Sequence, residues 1–358
     1  MSTIHKIKVS KIIKETKDCV SVSFDIPSDL HKLFSYIPGQ YLTLEADIDG
    51  EKVRRSYSLC SAPHENKWKV AVKKVPQGKF STYANDVLKA GDEVNVMSPM
   101  GNFKLQCNAE NDNHYVSFAA GSGITPMLSM IKEVMETEPM SQFTVFYGNK
   151  NTESIIFREE IEGIKNKYLD RLSVHYVLSR EKLMSEIFNG RIDEEKCRMY
   201  AKSFFNPAEI HSYYLCGPSQ MIFAVRDTLK DLEVSENSIK FELFTTDDMP
   251  TGQKHIAEIA ELDRGKMSSV KVTVDGVSFD FDLAYDGENV LDASLGYGAD
   301  LPFACKGGVC CTCKAKLVKG EVVMDVNYTL EPDEIEAGYI LTCQSHPRTE
   351  SIEVDFDV

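Results

Sequence analysis

The 358-residue sequence has no apolar run approaching the roughly 18 residues needed to span a bilayer, so it offers no helical membrane anchor. Its opening residues, Met1-Ser2-Thr3-Ile4-His5-Lys6, lack the apolar core and cleavage site of a signal peptide, and a cytoplasmic protein is expected. An excess of basic charge is missing too. Against 55 Asp and Glu stand 40 Lys and Arg, a net charge of −15, which makes nucleic acid and anionic membrane poor partners. No internal repeat or low-complexity tract appears, and 42% hydrophobic residues suit a folded chain rather than a disordered one. At this length two or three cores are expected.

Cysteine is present in number and unevenly placed. Cys19, Cys60, Cys107, Cys197 and Cys216 are scattered, whereas Cys305, Cys310, Cys311, Cys313 and Cys343 crowd the C-terminal end. Without a secretion signal, clustered cysteines point to metal ligands or redox groups rather than disulfides. Cys305-x4-Cys310-x2-Cys313, followed by Cys343 after 29 further residues, has the plant-type spacing of a 2Fe–2S cluster. Four thiolates must converge on two irons, so a tight loop supplies three and a distant strand end the fourth. Gly307 and Gly308 let the backbone approach and turn N–H groups toward sulfur. Cys311 does not fit the spacing and is expected to point away. The rival is zinc, because Cys310-x2-Cys313 is half of a zinc site, but Cys343 has no close partner to complete one. From Met267 to Val358 there are 17 Asp and Glu against 6 Lys and Arg, a net −11, which suits a basic docking patch on another protein.

Three textures divide the chain. Residues 1–109 carry short β-rich runs such as "CVSVSFDI", "QYLTLEADI" and "WKVAVKKV", punctuated by Gly, Pro and Asp, with one helix-like stretch, "STYANDVLKA". That predicts an antiparallel β-barrel. Residues 110–246 alternate strand and helix, beginning with "HYVSFAAG" and "TPMLSMIKEVMET", which predicts an α/β domain on a parallel sheet. Residues 247–266 read as a linker, with a short helix possible within it, long enough to allow movement of the C-terminal residues. Residues 267–358 open on a hairpin turning at Asp275-Gly276 and contain the cysteine cluster.

Weaker motifs sit at informative places. Arg55-Ser56-Tyr57-Ser58 lies on a barrel strand. Arg55 could pair with a phosphate, Tyr57 lie on a flavin ring and Ser58 hydrogen-bond its edge, although such a string is also ordinary surface. Gly78 and Ser81 open the helix-like stretch, where free N–H groups favour a pyrophosphate; Ser81 could equally be a plain N-cap. Gly121-Ser122-Gly123-Ile124-Thr125-Pro126 joins the first strand of the α/β region to a helix, the geometry of a pyrophosphate-binding turn, though it lacks the third glycine of G-x-G-x-x-G. Cys216-Gly217 ends a later strand of that sheet and could lie near the turn or be plain core. Ser179-Arg180 ends another, where an arginine could hold a ribose 2′-phosphate and so favour NADPH, with NADH still possible.

In this order the motifs resemble the ferredoxin–NADP reductase superfamily with a plant-type ferredoxin domain fused at the C-terminus. The resemblance spans essentially the whole chain. It implies FAD in the barrel, held by Arg55, Tyr57, Ser58, Gly78 and Ser81. Nicotinamide nucleotide on the sheet domain follows too, near Gly121, Gly123, Thr125, Ser179, Arg180, Cys216 and Gly217. A β-grasp ferredoxin domain is implied, with Cys305, Cys310, Cys313 and Cys343 on the cluster. Glu242 and Phe244 are implied to close the site behind the flavin, which sets Ser58, Cys216 and Glu242 beside the reacting atoms. Within the family, the segment from Cys305 to Ser345 resembles reductase subunits that feed a separate di-iron oxygenase. That oxygenase would dock on the acidic ferredoxin domain. A reductase of another multicomponent oxygenase, a stand-alone NAD(P)H oxidoreductase and a non-enzymatic redox sensor remain the alternatives.

Overall fold

The computed structural model describes residues 4–244 and 265–358. The linker expected over 247–266 therefore lies, through residue 264, outside the described residues. Two compact units are present; Ile4–Pro99 and Phe103–Phe244 form one, and the C-terminal residues form the body of the other.

The first unit contains a barrel and a parallel sheet. Strands β1 (Ile4–Thr16), β2 (Cys19–Asp25), β3 (Tyr41–Ile48), β4 (Glu51–Ser58), β5 (Trp68–Lys73) and β6 (Glu93–Met97) pair antiparallel in the order β4-β3-β6-β1-β2-β5. A bridge between Leu59 and Val70 joins the two ends and closes the barrel. Asp49 and Gly50 both take positive φ, 55° and 79°, so the β3–β4 hairpin uses the tight turn whose twist matches its strands. Val9, Val22, Leu42, Leu44, Val70 and Val96 fill the interior, and Phe80 of α1 (Lys79–Asp86) plugs it.

Next come β7 (His114–Ala120), α2 (Ile124–Thr137), β8 (Gln142–Asn149), α3 (Arg158–Lys167), β9 (Leu172–Leu178), α4 (Glu194–Ser203), β10 (Ser212–Gly217), α5 (Ser219–Asp231) and β11 (Ile239–Leu243). All five strands are parallel, in the order β11-β10-β7-β8-β9. The chain runs outward from β7 through β8 and β9, then returns to lay β10 on the other side of β7. The strand order thus reverses between β7 and β10, the place where open parallel sheets bind ligands at their carboxyl ends.

The second unit has β12 (Met267–Val274), β13 (Val277–Ala284), α6 (Val290–Gly296), β14 (Lys314–Lys319), β15 (Val322–Met324), α7 (Pro332–Glu336), β16 (Tyr339–Leu341), β17 (Ser345–Pro347) and β18 (Ser351–Asp355). A mixed sheet of order β13-β12-β18-β14-β16 grips α6, and β15 pairs separately with β17. Asp275 and Gly276, at φ 50° and 73°, make the expected β12–β13 turn. Among the described residues, no helix is long and apolar enough to cross a membrane.

Candidate functional site

The switch point of the parallel sheet gathers Gly121, Gly123, Thr125, Cys216 and Gly217, whereas Ser179 and Arg180 lie at the end of the edge strand β9. Gly121 follows β7 with φ 56°, and its carbonyl accepts the Tyr147 hydroxyl at 3.0 Å. Gly123 packs so tightly under β10 that a Cβ there would lie 2.0 Å from the Cys216 carbonyl oxygen. Only glycine permits that approach, which brings the start of α2 against Cys216-Gly217. The Thr125 hydroxyl donates to the Ser122 carbonyl at 3.0 Å and fastens the turn. The start of a helix is where backbone N–H groups serve an anion site. Lys73 of the barrel lies near Gly121, its Nζ 3.6 Å from where a Cβ would stand. The motifs did not single out this lysine, because nothing local in "WKVAVKK" marks it.

Across the seam within this unit, the Ser58 hydroxyl donates to Glu242 Oε2 at 3.1 Å, joining the end of β4 to β11. Glu242 pairs in register with Cys216, which is fully buried. Glu242 as a whole keeps some exposure, yet burial around its carboxyl pushes the pKa from 4.5 up to about 8, with the Ser58 bond pulling the other way. Burial also pushes the Cys216 thiol well up. The Ser58–Glu242 bond and the Glu242–Cys216 pairing bring these three residues to one seam, while Phe244 is exposed. Ser179 and Arg180 are exposed beyond the end of β9, where the Ser179 hydroxyl donates to the Asn149 carbonyl at 3.3 Å.

On the barrel, the pleat separates two neighbouring arginines. Arg54 points inward and pairs with buried Glu45, leaving Arg55 exposed. Tyr57 packs 5.6 Å from Phe80. Gly78 occupies the N-cap of α1, so Ser81 is not a plain cap. Its hydroxyl turns back, accepting from Val75 N–H at 3.2 Å and donating to the Gly78 carbonyl at 3.3 Å.

In the second unit the four spaced cysteines converge. Cys305 accepts hydrogen bonds from Cys310 and Cys343, which hold its thiol well below the ordinary pKa, and Cys313 is lowered chiefly by its bond from Cys343, while the same bonds push the donors Cys310 and Cys343 up. Thiolate is the form that binds iron. The Gly307 N–H points at Cys305 Sγ at 3.3 Å. Gly308 takes φ 71°, where a Cβ would come 2.9 Å from Val326. Thr342 N–H and hydroxyl both bond the Cys313 carbonyl, at 3.2 and 2.9 Å, fastening the remote cysteine to the loop. Gln344 adds a donor that spacing alone did not reveal, its Nε2 lying 3.4 Å from Cys343 Sγ and 3.2 Å from the Lys306 carbonyl. Cys311 is buried in the same loop. Among the described residues no three ligating side chains gather so as to hold one metal ion. The sulfurs are instead linked in a chain, with Cys305 bonded to both Cys310 and Cys343 and Cys343 also to Cys313.

A closed barrel, a parallel sheet with a glycine-tight turn at its switch point and a unit with four converging thiols together define a modular electron-transfer reductase. The parts match three domain families in order. Residues 6–105 match the oxidoreductase FAD-binding domain, 118–227 the oxidoreductase NAD-binding domain and 272–348 the 2Fe-2S iron-sulfur cluster binding domain. The chain is 42% identical to a subunit of the 1,2-phenylacetyl-CoA epoxidase of Escherichia coli (strain K12), with 100% of this chain and 99% of that one aligned. It is 30% identical to the ferredoxin reductase component of 3-ketosteroid-9-alpha-monooxygenase from Rhodococcus rhodochrous, over 98% and 96% of the two chains. Among solved structures it resembles phthalate dioxygenase reductase with a TM-score of 0.59 at 23% identity, covering 99% of this chain and 98% of the other. The chain belongs to the ferredoxin–NADP reductase family, as an oxidoreductase whose domains bind FAD, nicotinamide nucleotide and a 2Fe–2S cluster.

Proposed function

We propose that this chain is the reductase component that passes electrons from NADPH to a separate di-iron oxygenase, the ring-1,2-phenylacetyl-CoA epoxidase of phenylacetate degradation. The observation that carries this choice of partner is the full-length 42% identity to a subunit of that enzyme. FAD bound to residues 1–109 would supply the conversion between two-electron hydride chemistry and single-electron transfer, which neither nicotinamide nor a 2Fe–2S cluster on Cys305, Cys310, Cys313 and Cys343 would supply alone.

The chain's own residues bind and orient these groups. Residues 1–109 hold FAD, with exposed Arg55 on phosphate, Tyr57 and Ser58 along the flavin ring, and Gly78 and Ser81 shaping the first turn of α1. Residues 110–246 hold the nucleotide through Gly121, Gly123 and Thr125 at the switch point, with Cys216 and Gly217 beside it and Ser179 and Arg180 toward a 2′-phosphate. Glu242, protonated near neutral pH, and Ser58 keep a polar pair beside the reacting atoms, with Phe244 behind the flavin. Residues 267–358 carry the cluster on Cys305, Cys310, Cys313 and Cys343, reached through a linker at 247–266. The oxygenase docks on this acidic unit, and the protein works in the cytoplasm.

The test is an anaerobic visible spectrum before and after stoichiometric NADPH, with electron paramagnetic resonance on the reduced sample, for the protein and for Cys343→Ser. Flavin bleaching with a rhombic 2Fe–2S signal is expected, and loss of that signal alone in the variant. A normal cluster spectrum in Cys343→Ser overturns the ligand assignment. Rapid turnover with no stimulation by the epoxidase overturns the partnered reading in favour of a stand-alone oxidoreductase.

A further inference from the structure

Lys132 is an ammonium with 8% exposure, set mid-way along α2 at the seam between the sheet and the barrel of the first unit. It meets Glu65 of the β4–β5 loop at 3.0 Å and Glu160 of α3 at 2.5 Å. Its Nζ also reaches the Cys60 carbonyl at 3.5 Å. Glu160 in turn takes Lys69 of β5 at 3.0 and 3.3 Å. Glu65 accepts the Ala62 N–H at 2.7 Å, so the same carboxylate that receives Lys132 also folds the loop. One position further along α2, Glu133 meets His64 of that loop at 2.7 Å.

Two lysines and two glutamates balance in charge, which offsets much of the cost of burial. A buried ion pair is nevertheless weak evidence for stability, because apolar residues of similar volume often hold as well. Its distinctive property is direction: the ammonium accepts only a few geometries, whereas an apolar seam can slide. The two ends of this staple lie at telling places. Helix α2 begins at the Gly121–Thr125 turn, and the clamped loop begins two residues after Ser58.

We propose that Lys132 is a positioning residue for hydride delivery, fixing the nucleotide turn and the Ser58 edge of the barrel in one register through Glu65, Glu160 and the Cys60 carbonyl. This rests on the reductase reading above. In the step concerned, a hydrogen and two electrons leave the nicotinamide together and arrive at the flavin, and misplacement on the order of 1 Å slows such reactions by up to about a hundredfold.

The experiment compares FAD-loaded wild type, Lys132→Arg and the charge-balanced double variant Lys132→Met/Glu65→Gln, in which Glu160 keeps Lys69. Flavin bleaching at saturating NADPH is followed by anaerobic rapid mixing, with FAD content and nucleotide dissociation constant measured alongside. The double variant is expected to slow bleaching by about tenfold or more, with FAD content and nucleotide affinity held within about twofold, and Lys132→Arg to recover most of the rate. Hydrogen exchange without nucleotide should show faster exchange over Cys60–Glu65 in the double variant. Unchanged bleaching, a fall only in proportion to lost FAD, or unchanged exchange in the loop overturns the proposal. Failure of the wild type itself to bleach with NADPH overturns the reductase reading instead.

Discussion

Ser58 and Glu242 are 184 positions apart and meet because a barrel strand and the last strand of a parallel sheet end at the same seam. Burial raises the Glu242 pKa to about 8, so between its ordinary value and about 8 the folded protein holds a proton that the unfolded chain releases. The unfolded state binds fewer protons in that window, and the stability contribution is full below pH 4.5 and is lost as pH rises through 8. Thermal unfolding from pH 5.5 to 8.5 should therefore show wild type losing stability relative to Glu242→Gln, by up to about 1.4 kcal/mol per pH unit. Parallel curves for the two proteins would mean that the carboxyl stays ionised. The sequence placed this pair only through family resemblance, since no local pattern links residues so far apart. The same holds for Lys132, whose partners Glu65 and Glu160 come from other elements; a lysine on an amphipathic helix reads as solvated until the seam is seen. The cysteine quartet was legible because its spacing is itself the geometric requirement.

At the scale of elements, texture translated well. Short runs ending in Gly, Pro and Asp became the barrel, and strands alternating with helices became the parallel sheet, because each period matches the face that must be buried. What texture did not reveal is how α4 covers its face of the sheet. Phe146 of β8 stacks on Tyr200 of α4 at 4.2 Å and on His175 of β9 at 5.1 Å, and His175 stacks on Phe188 at 5.5 Å. A histidine among aromatic rings is held neutral, chiefly because burial disfavours the imidazolium, with Lys165 adding to the effect. Its folded pKa is depressed, so the unfolded chain binds more protons, and the contribution present above pH 6.5 is lost as pH falls below it. Between pH 7 and pH 5, His175→Phe should lose less thermal stability than wild type. A larger loss in the variant would show that the imidazole is stabilised in its charged form. This dependence runs opposite to that of Glu242, so one pH series on both variants separates the two seats.

For the whole molecule, the uneven charge has a kinetic consequence. Of the net −15, −11 falls within Met267–Val358, about a quarter of the length. In the proposed docking, acidity concentrated on the unit with the converging thiols would attract a basic partner at long range, raising encounter rates that weaken as salt shortens the screening length to about 10 Å at 0.1 M. The staple at Lys132 is mostly buried and lies within one compact unit, so the same salt should leave it intact. Raising ionic strength from about 50 to about 300 mM should thus cut oxygenase-coupled turnover severalfold, while NADPH-driven reduction of a small uncharged acceptor changes less than twofold. Coupled turnover indifferent to salt would remove charge steering from the docking step and leave the acidity as ordinary solvation. A fall in both activities together would locate the sensitive contact upstream, at nucleotide binding, where the exposed Arg180 meets a charged ligand in the proposed site.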